Sequence, residues 1–413
     1  MFNHWKISLR DAVMVVVFLL ACVALCFLDI HPSGRPAQGV KCRARVLSVD
    51  NTNVFTIGLL KKGEQRVRLK ILSGPYKGRE FNGSNIIRAN MELDKVFEPG
   101  DIALAAIPYD VDDDFTIVAQ DHYRIGYSIL LFSLFGILLL VFAGITGFNA
   151  LLSFVFSCLV IWKLVIPLAL TPGFYTHLDI GKYAIPISLT PGRIVLLVTF
   201  GAVTLLSAVI IFLVAGMTRK GITAFIGSIL GVLASCAMAV IFTKLFKING
   251  GMMPYAQTLL YSGYEFLSLP HIYIGAIFLS SSGAVMDLAM DVSAGMVEVL
   301  QKRPDIPRRE LIGSGLNIGR SVVGTMTTTL LLAYSGGYLT LMMTFAAQGI
   351  GPLDFINNPY VASEAVKTLV GSFGLVLVAP FTALVGGFII PHTGKHAEPE
   401  QIPVEKTEGP ETV

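Results

Sequence analysis

The chain has 413 residues, 54% of them hydrophobic and only 14% charged, with a net charge of +3. A soluble domain carries about 25% charged residues, so most of this chain is built for lipid rather than water. So small a positive excess, diluted by apolar sequence, argues against a nucleic-acid binder.

The charges are unevenly spread. They are dense and nearly balanced from Gln38 to Arg124, whereas Gly126 to Glu298 holds only 12. Among the five cysteines, Cys22, Cys26, Cys158 and Cys236 lie in apolar runs, where a thiol acts as a small hydrophobe. Cys42 is alone in the charged module, so no internal disulfide is expected there, and no Cys/His spacing resembles a zinc site.

The first apolar run, Ala12 to Leu28, follows Lys6 and Arg10. No small-x-small cleavage site succeeds it, so residues 1–30 read as an uncleaved signal anchor.

Residues 38–122 read as β-structure. VKCRARVLSVD, NVFTIGLL and EQRVRLKILSG are short runs rich in β-branched residues, and DIALAAIPY and FTIVAQDHY supply the last strands. Turn signals at Lys62-Gly63, Ser73-Gly74-Pro75, Asn82-Gly83 and Pro99-Gly100-Asp101 separate them. Five or six strands in this length predict a small all-β barrel of the OB or SH3-like kind.

Seven more apolar runs follow, at 126–143, 147–169, 193–215, 221–243, 272–294, 321–346 and 368–390. A helix needs roughly 20 apolar residues to cross a bilayer, so the expected fold is an α-helical polytopic membrane protein. It has about eight transmembrane helices, seven of them in residues 126–390, and Gly144 to Thr146 would turn a tight hairpin. Lys6, Arg10, Arg219, Lys220, Lys302, Arg303, Arg308 and Arg309 all fall on one side of eight crossings. Cytoplasmic loops collect Lys and Arg, which places both termini in the cytoplasm and residues 38–122 outside it. Lys163, Lys182, Lys244 and Lys247 fall on the other side, so the rule acts as a bias.

Ile166 to Gly173 and Ile185 to Gly192 repeat an IP…LTPG pattern. Each predicts a turn that starts a helix, with Thr as N-cap and Pro first in the helix. Met253 to Leu269, carrying Tyr255, Tyr261 and Tyr264, predicts a short interfacial helix. The acidic, Pro-rich tail, 391–413, reads as a disordered cytoplasmic segment.

Ionisable residues inside spans need a partner or a task. The sixth run of the series that begins with Ala12 carries Asp287 and Asp291 at i,i+4, on a face shared with Ser280, Gly283, Ala284, Ala294 and Glu298. The seventh carries Asn317, Arg320 and Gly324, then Thr325, Thr327, Thr328 and Thr329. Helix arithmetic would set Arg320 against Asp287 or Asp291. The candidate intramembrane site is therefore Asp287, Asp291, Asn317, Arg320, Gly324, Thr325 and Thr328. The same residues also read as packing: small residues let helices approach closely, and threonine hydroxyls bond back to their own backbone. Four consecutive positions cannot all line one pathway.

Other candidates have plainer readings. Glu265 reads as solvated, and Asp354, Glu364 and Lys367 are placed in the last outside loop. His177 and Asp179 are too few for a metal site, and Gly74 to Arg79 reads as a hairpin turn. No nucleophile elbow, HExxH or dinucleotide fingerprint occurs, so neither an enzyme nor a cofactor is expected. Aspartyl intramembrane proteolysis needs carboxylates on two facing helices, and here both aspartates share one.

Several blocks together resemble the YibE/F family of bacterial multi-spanning membrane proteins. They are Gly283-Ala284-Val285-Met286-Asp287, Ser314 to Arg320 running into Gly324-Thr325-Met326 and Thr329 to Tyr334, Gly371 to Leu377 before Pro380, and Ile71 to Gly78. The likeness extends over about residues 40–390. It implies a bacterial plasma-membrane protein without a defined reaction. Ser321 departs from the family's acidic residue after the arginine, Thr328 departs from an amide, and the IP…LTPG loop reads as an insertion.

The expected function is a permease-like transporter or channel for a small solute or ion, with Asp287 binding a proton or cation and Arg320 its counter-charge. Thr325 and Thr328 would supply hydroxyls. The rival is a membrane scaffold or sensor whose outer β-domain binds an envelope or membrane protein, the intramembrane charges being structural. The expected partners are the bilayer and that solute or ion.

Overall fold

The computed structural model describes residues 9–27, 39–108, 116–170, 177–180, 183–186 and 191–390. It divides into two compact units, Ser33–Gly144 and Met1–Pro32 with Ile145–Val413. The expected tail and the first of the two TPG turns lie outside the described residues.

The smaller unit is a five-stranded closed barrel. Its strands are β1 (Val40–Ile57), β2 (Leu60–Ile71), β3 (Glu80–Arg88), β4 (Ile102–Ile107) and β5 (Ile117–His122), ordered β1-β2-β3-β5-β4. All pairs are antiparallel except β3 with β5. Alternation decides what points inward: Cys42, Ala44, Val46, Val67, Leu69, Ile71, Phe81, Ala103, Ala105, Ile107, Ile117 and Ala119 form one core. Four alanines in that set keep the lumen narrow enough to fill. Burial pushes the Cys42 thiol up from its ordinary pKa.

Three expected boundaries differ. VKCRARVLSVD and NVFTIGLL form one strand, and its register shifts at Val46/Ser48 and Asp50/Asn53 bend it as bulges rather than break it. Lys62-Gly63 lies inside β2, because Gly63 (φ 133°) takes a close crossing where a Cβ would reach the Asn53 carbonyl oxygen at 1.9 Å. Asn82-Gly83 lies inside β3, where a Cβ on Gly83 would meet Leu69 and Val67 at 2.8 and 2.9 Å. In both places glycine is needed for space, not for a turn.

The loop before β4 is tied to the barrel by buried amides. The Phe97 N–H donates to Gln65 Oε1 at 2.9 Å, and Gln65 Nε2 donates to the Phe97 carbonyl at 2.8 Å. Asn85 Nδ2 donates to the Lys95 carbonyl at 2.7 Å. The fully buried Phe97 ring joins the core as a plug. Asp94 holds the same loop by accepting from the N–H groups of Arg88 and Asn90. Burial pushes its carboxyl up, but these donors outweigh that and leave it below the usual carboxylate range.

Helices make up most of the rest: α1 (Leu9–Phe27), α2 (Ile125–Val160), a π-helical turn (Ile161–Val165), α3 (Ile166–Leu170), α4 (Pro191–Ala215) and α5 (Arg219–Leu245). A short hairpin, β6 (His177–Ile180) and β7 (Tyr183–Pro186), precedes α4. Then come α6 (Ala256–Tyr261), α7 (Leu269–Lys302), α8 (Arg308–Gly336), α9 (Leu339–Ala347), α10 (Pro352–Asn357) and α11 (Pro359–Ile389). α2 is interrupted at Gly144 (φ 57°, ψ −127°), where the expected hairpin connection falls. The second TPG turn does start a helix, with Pro191 first in α4. Of the expected interfacial helix, only α6 is helical.

Five of these stretches are long and apolar enough to cross a bilayer: Ile125–Leu170, Gly192–Ala215, Arg219–Leu245, Leu269–Lys302 and Pro359–Ile389. α8 and α9, bent by 62°, make a sixth if counted as one span. The expectation of eight also counts the first run and divides Ile125–Leu170 at Gly144. The helices meet through small residues, as intramembrane interfaces do. A Cβ on Gly374 would come within 1.8 Å of Ser235 Oγ, and one on Gly227 within 2.1 Å of Thr382 Oγ1, so α5 and α11 are in backbone-close contact. α7 supplies Phe278, Val285, Leu288, Val292 and Met296 to the same core.

Candidate functional site

α8 makes its backbone-close contacts with this core through its first half. A Cβ on Gly315 would meet Met296 at 2.7 Å, and one on Gly319 would meet Ala379 at 2.6 Å and Val292 at 3.6 Å. α7 and α8 are therefore antiparallel, with Gly319 level with Val292 and Arg320 level with Asp291. A residue one step from Gly319 is turned by about 100°, which carries Arg320 away from the core.

All seven expected site residues, Asp287, Asp291, Asn317, Arg320, Gly324, Thr325 and Thr328, are exposed. The expected ion pair is not formed. Arg320 Nη1 donates instead to Asn317 Oδ1 one turn back, at 3.2 Å. Among the described residues no salt bridge joins Arg320 to Asp287 or Asp291. The expected inward pairing of Arg320 with the aspartates is thus not what this packing forms. The close packing of Gly315 and Gly319 claims the inward side.

The hydroxyls bond backward along their own helix. Ser321 Oγ donates to the Ile318 carbonyl, Thr325 to Val322, Thr328 to Gly324 and Thr329 to Thr325, at 2.7 to 3.0 Å. Of the two readings of the threonines, the local one describes this geometry.

Asp287 and Asp291 line an open groove of about 490 Å³ between α4, α7 and α8. Its other walls are Ile210, Ile211, Val214, Met286, Met290, Val322 and Met326. Two carboxylates thus sit among apolar side chains with no cation paired to them among the described residues. A charged group at mid-bilayer costs about 2.5–3.5 kcal/mol even on the gentlest scale, so three of them on an outer face demand a reason.

A second polar cluster lies further toward the start of α7. Glu364 and Lys367, expected in a loop, are in the first turns of α11, and Asp354 is in α10. Glu364 Oε2 and Lys367 Nζ are 3.9 Å apart, with side chains only 17% and 26% exposed. The ammonium lies 5.3 Å from the centre of the Tyr334 ring, a cation–π contact. The Tyr334 hydroxyl donates to Ser280 Oγ at 2.9 Å, the Tyr273 hydroxyl donates to the Ser363 carbonyl, and Tyr338 lines the same cavity as Glu364. A cavity of about 280 Å³ opens beside them, lined by Tyr334, Tyr338, Met342, Phe355 and Glu364 among others. A signal for this placement was present. Asn358-Pro359 is an N-cap followed by Pro, and Asn358 Oδ1 accepts from the Tyr360 N–H. Starting the helix there puts both charges inside it.

The barrel has surface features of its own. A groove of about 530 Å³ crosses β1, β2 and β3, with Asp50, Glu64, Arg66, Arg68 and Asn82 along it. A cleft of about 620 Å³ gathers Arg43, Arg45, His122, Tyr123, Arg124 and Tyr127. Arg68 is engaged by Glu80 at 3.1 Å and Arg124 by Asp121 at 2.9 Å.

No group of three or more His, Cys, Asp or Glu among the described residues could hold a metal ion. No curated protein and no solved structure matches the chain. A protein family described as YibE/F-like protein matches residues 174–392, which takes in α4 to α11 and both polar clusters but not the barrel. That match covers just over half of the 413 residues, and the chain belongs to the YibE/F-like family of membrane proteins.

Proposed function

We propose that the chain is a permease-like protein that carries a small solute or ion along the seam of α7 and α8. One observation supports this reading: two ionisable stations lie along α7, one brought to it by α11 and one of its own. Glu364, Lys367 and Tyr334 meet α7 at Tyr273 to Ser280, and Asp287 and Asp291 follow about 10 Å further along it. In transporters, such groups within spans mark the path of a proton or substrate. Asp287 is the cation- or proton-binding carboxylate of this reading. The guanidinium of Arg320 is not its counter-charge within one chain, so that part of the expectation is withdrawn. The chemistry is transport rather than catalysis.

The eight-crossing arrangement belongs to the same proposal, with both termini cytoplasmic, the barrel outside, and the bacterial plasma membrane as the location. It rests on the Lys and Arg of the α4–α5 and α7–α8 connections.

Flux into proteoliposomes tests the reading. Across a panel of small cations, anions and neutral solutes, the wild-type chain conducts at least one. Asp287→Asn and Glu364→Gln each lower that flux at least tenfold at equal protein level. A wild-type chain no better than Asp287→Asn for every solute overturns transport.

A second reading is favoured by the barrel. Its strand order, with one parallel pair between β3 and β5, is that of an OB barrel, and the β1–β2–β3 groove lies where such barrels bind ligands. Here the chain is a scaffold or sensor for an envelope partner. Deleting residues 40–120 then abolishes function while Asp287→Asn is tolerated.

A further inference from the structure

We infer that the cleft between the barrel and the first turns of α2 seats the headgroup of an anionic phospholipid, with Arg43 and Arg45 on its phosphate and α2 along its acyl chains. The inference needs α2 to be a membrane span, as its length and hydropathy allow. It rests on neither reading of the function.

Three observations carry it. The first is position. Only Tyr123 and Arg124 separate β5 from α2. The Tyr123 N–H still donates to the Ile102 carbonyl at 2.8 Å, and the Ser128 N–H already donates to the Arg124 carbonyl at 3.0 Å. Strand pairing therefore runs directly into the span, and the barrel and the start of α2 belong to one compact unit. The cleft of about 620 Å³ is lined by Arg43, Arg45, His122 and Tyr123 on the barrel side and by Tyr127 and Leu130 on α2. A helix rises about 7.5 Å from Ile125 to Leu130, and the headgroup layer is roughly 5–8 Å deep on each side of the hydrocarbon. The cleft thus occupies the layer in which lipid phosphates lie, and tyrosines such as its two are enriched there.

The second is charge. Alternation along β1 turns Cys42 and Ala44 into the lumen and Arg43 and Arg45 outward, on one face. Lys70 stands across from Arg45 on β2, so a third cation adjoins them. Glu80, next across the sheet, is held by Arg68. On the other side of β1, β4 sets only Leu104 and Ile102 opposite the two arginines. Asp101 also lines the cleft, but its Oδ2 accepts from the Glu98 N–H at 2.8 Å and lies 3.8 Å from His122 Nδ1. Arg124 is taken by Asp121. Among the described residues Arg43 and Arg45 form no ion pair, and the Arg43 guanidinium lies 5.8 Å from the centre of the Tyr123 ring. Two open guanidinium forks at this level suit a phosphodiester, which accepts paired donors.

The third is continuity with lipid. Beyond the cations the wall of the cleft turns apolar. Tyr127, Leu130, Leu134 and Leu138 recur at helical spacing along α2, and all are exposed. A phosphate on the arginines lays its acyl chains on this stripe. A soluble anion would use the cations alone, so the stripe favours a lipid.

The test uses the full chain in detergent micelles, with bound lipid counted by native mass spectrometry during titration with phosphatidylglycerol or phosphatidylcholine. Wild type binds phosphatidylglycerol about tenfold more tightly than phosphatidylcholine. Arg43→Gln combined with Arg45→Gln abolishes that preference at an unchanged thermal midpoint. Lys61→Gln combined with Lys62→Gln removes as much charge from the start of β2 and leaves the preference intact. Neither inorganic phosphate nor soluble polyglutamate displaces the lipid. Equal affinity for the two lipids would overturn the inference, as would a preference that survives the loss of both arginines or falls equally with Lys61 and Lys62. Displacement by inorganic phosphate would assign the cleft to a soluble anion instead, and displacement by polyglutamate to an acidic protein.

Discussion

Two clusters of charge lie along α7, one carried by α11 and one by α7 and α8, and they are treated oppositely. Glu364 and Lys367 are mostly buried, near one another and enclosed by three tyrosines. Asp287, Asp291 and Arg320 are exposed and unpaired among the described residues. The first cluster gathers its charges of both signs within one chain, although Glu364 Oε2 accepts no hydrogen bond there. The second has exposed carboxylates and an exposed guanidinium with no ion pair between them among the described residues. Ion pairs buried in one molecule lock helices, whereas unpaired charges mark where the molecule meets its surroundings.

The contrast can be broken or sharpened by substitution. The largest effect is expected from Lys367→Met, which leaves Glu364 buried without its cation. Such a loss costs about 3–5 kcal/mol, read as a lower thermal midpoint, and Lys367→Met combined with Glu364→Gln recovers most of it. Asp291→Asn, in the exposed cluster, is expected to change the stability of the chain by less than about 1 kcal/mol. Equal losses for the two stations would erase the distinction.

Next comes the barrel, where another enclosed polar group provides the comparison. Gln65→Leu removes the clamp on Phe97 and strands that residue's buried N–H and carbonyl, costing about 2–4 kcal/mol. Hydrogen exchange of the loop from Ala89 to Asp101 should rise with it.

Tyr334→Phe removes one hydrogen bond, to Ser280, and is expected to cost about 1 kcal/mol while the ring still faces Lys367. Asp94 gives an effect of similar size with a pH sign. Its folded pKa lies below the ordinary one, so its contribution is complete above the unfolded value, about pH 4. The contribution is lost as pH falls through the folded value. Asp94→Asn should flatten that acid limb of barrel stability in the full chain. Thr328→Val is expected to be smallest, within about 0.5 kcal/mol, because its hydroxyl bonds only to its own helix.

Much of this was legible in the sequence because it rests on local pattern. Alternation marked the strand segments, and long apolar runs marked the spans. The errors have physical causes. Gly63 and Gly83 looked like turns because a glycine needed inside a strand, for space at Gly83 and for both space and a positive φ at Gly63, cannot be told by sequence from one in a turn. Glu364 and Lys367 looked like loop residues because apolar periodicity starts only after them, although the Asn358-Pro359 cap already marked the helix start.

Sequence alone determined where the chain forms barrel strands and where it forms long apolar helices, since both follow from the period and composition of each segment. The direction of the polar face of α8 was decided only in the tertiary structure. Charge favours turning that face inward, away from lipid, but Gly315 and Gly319 allow a closer approach to Met296, Ala379 and Val292 than any larger residue could. Which of these wins depends on the surface of the neighbouring helices, and no single segment encodes that.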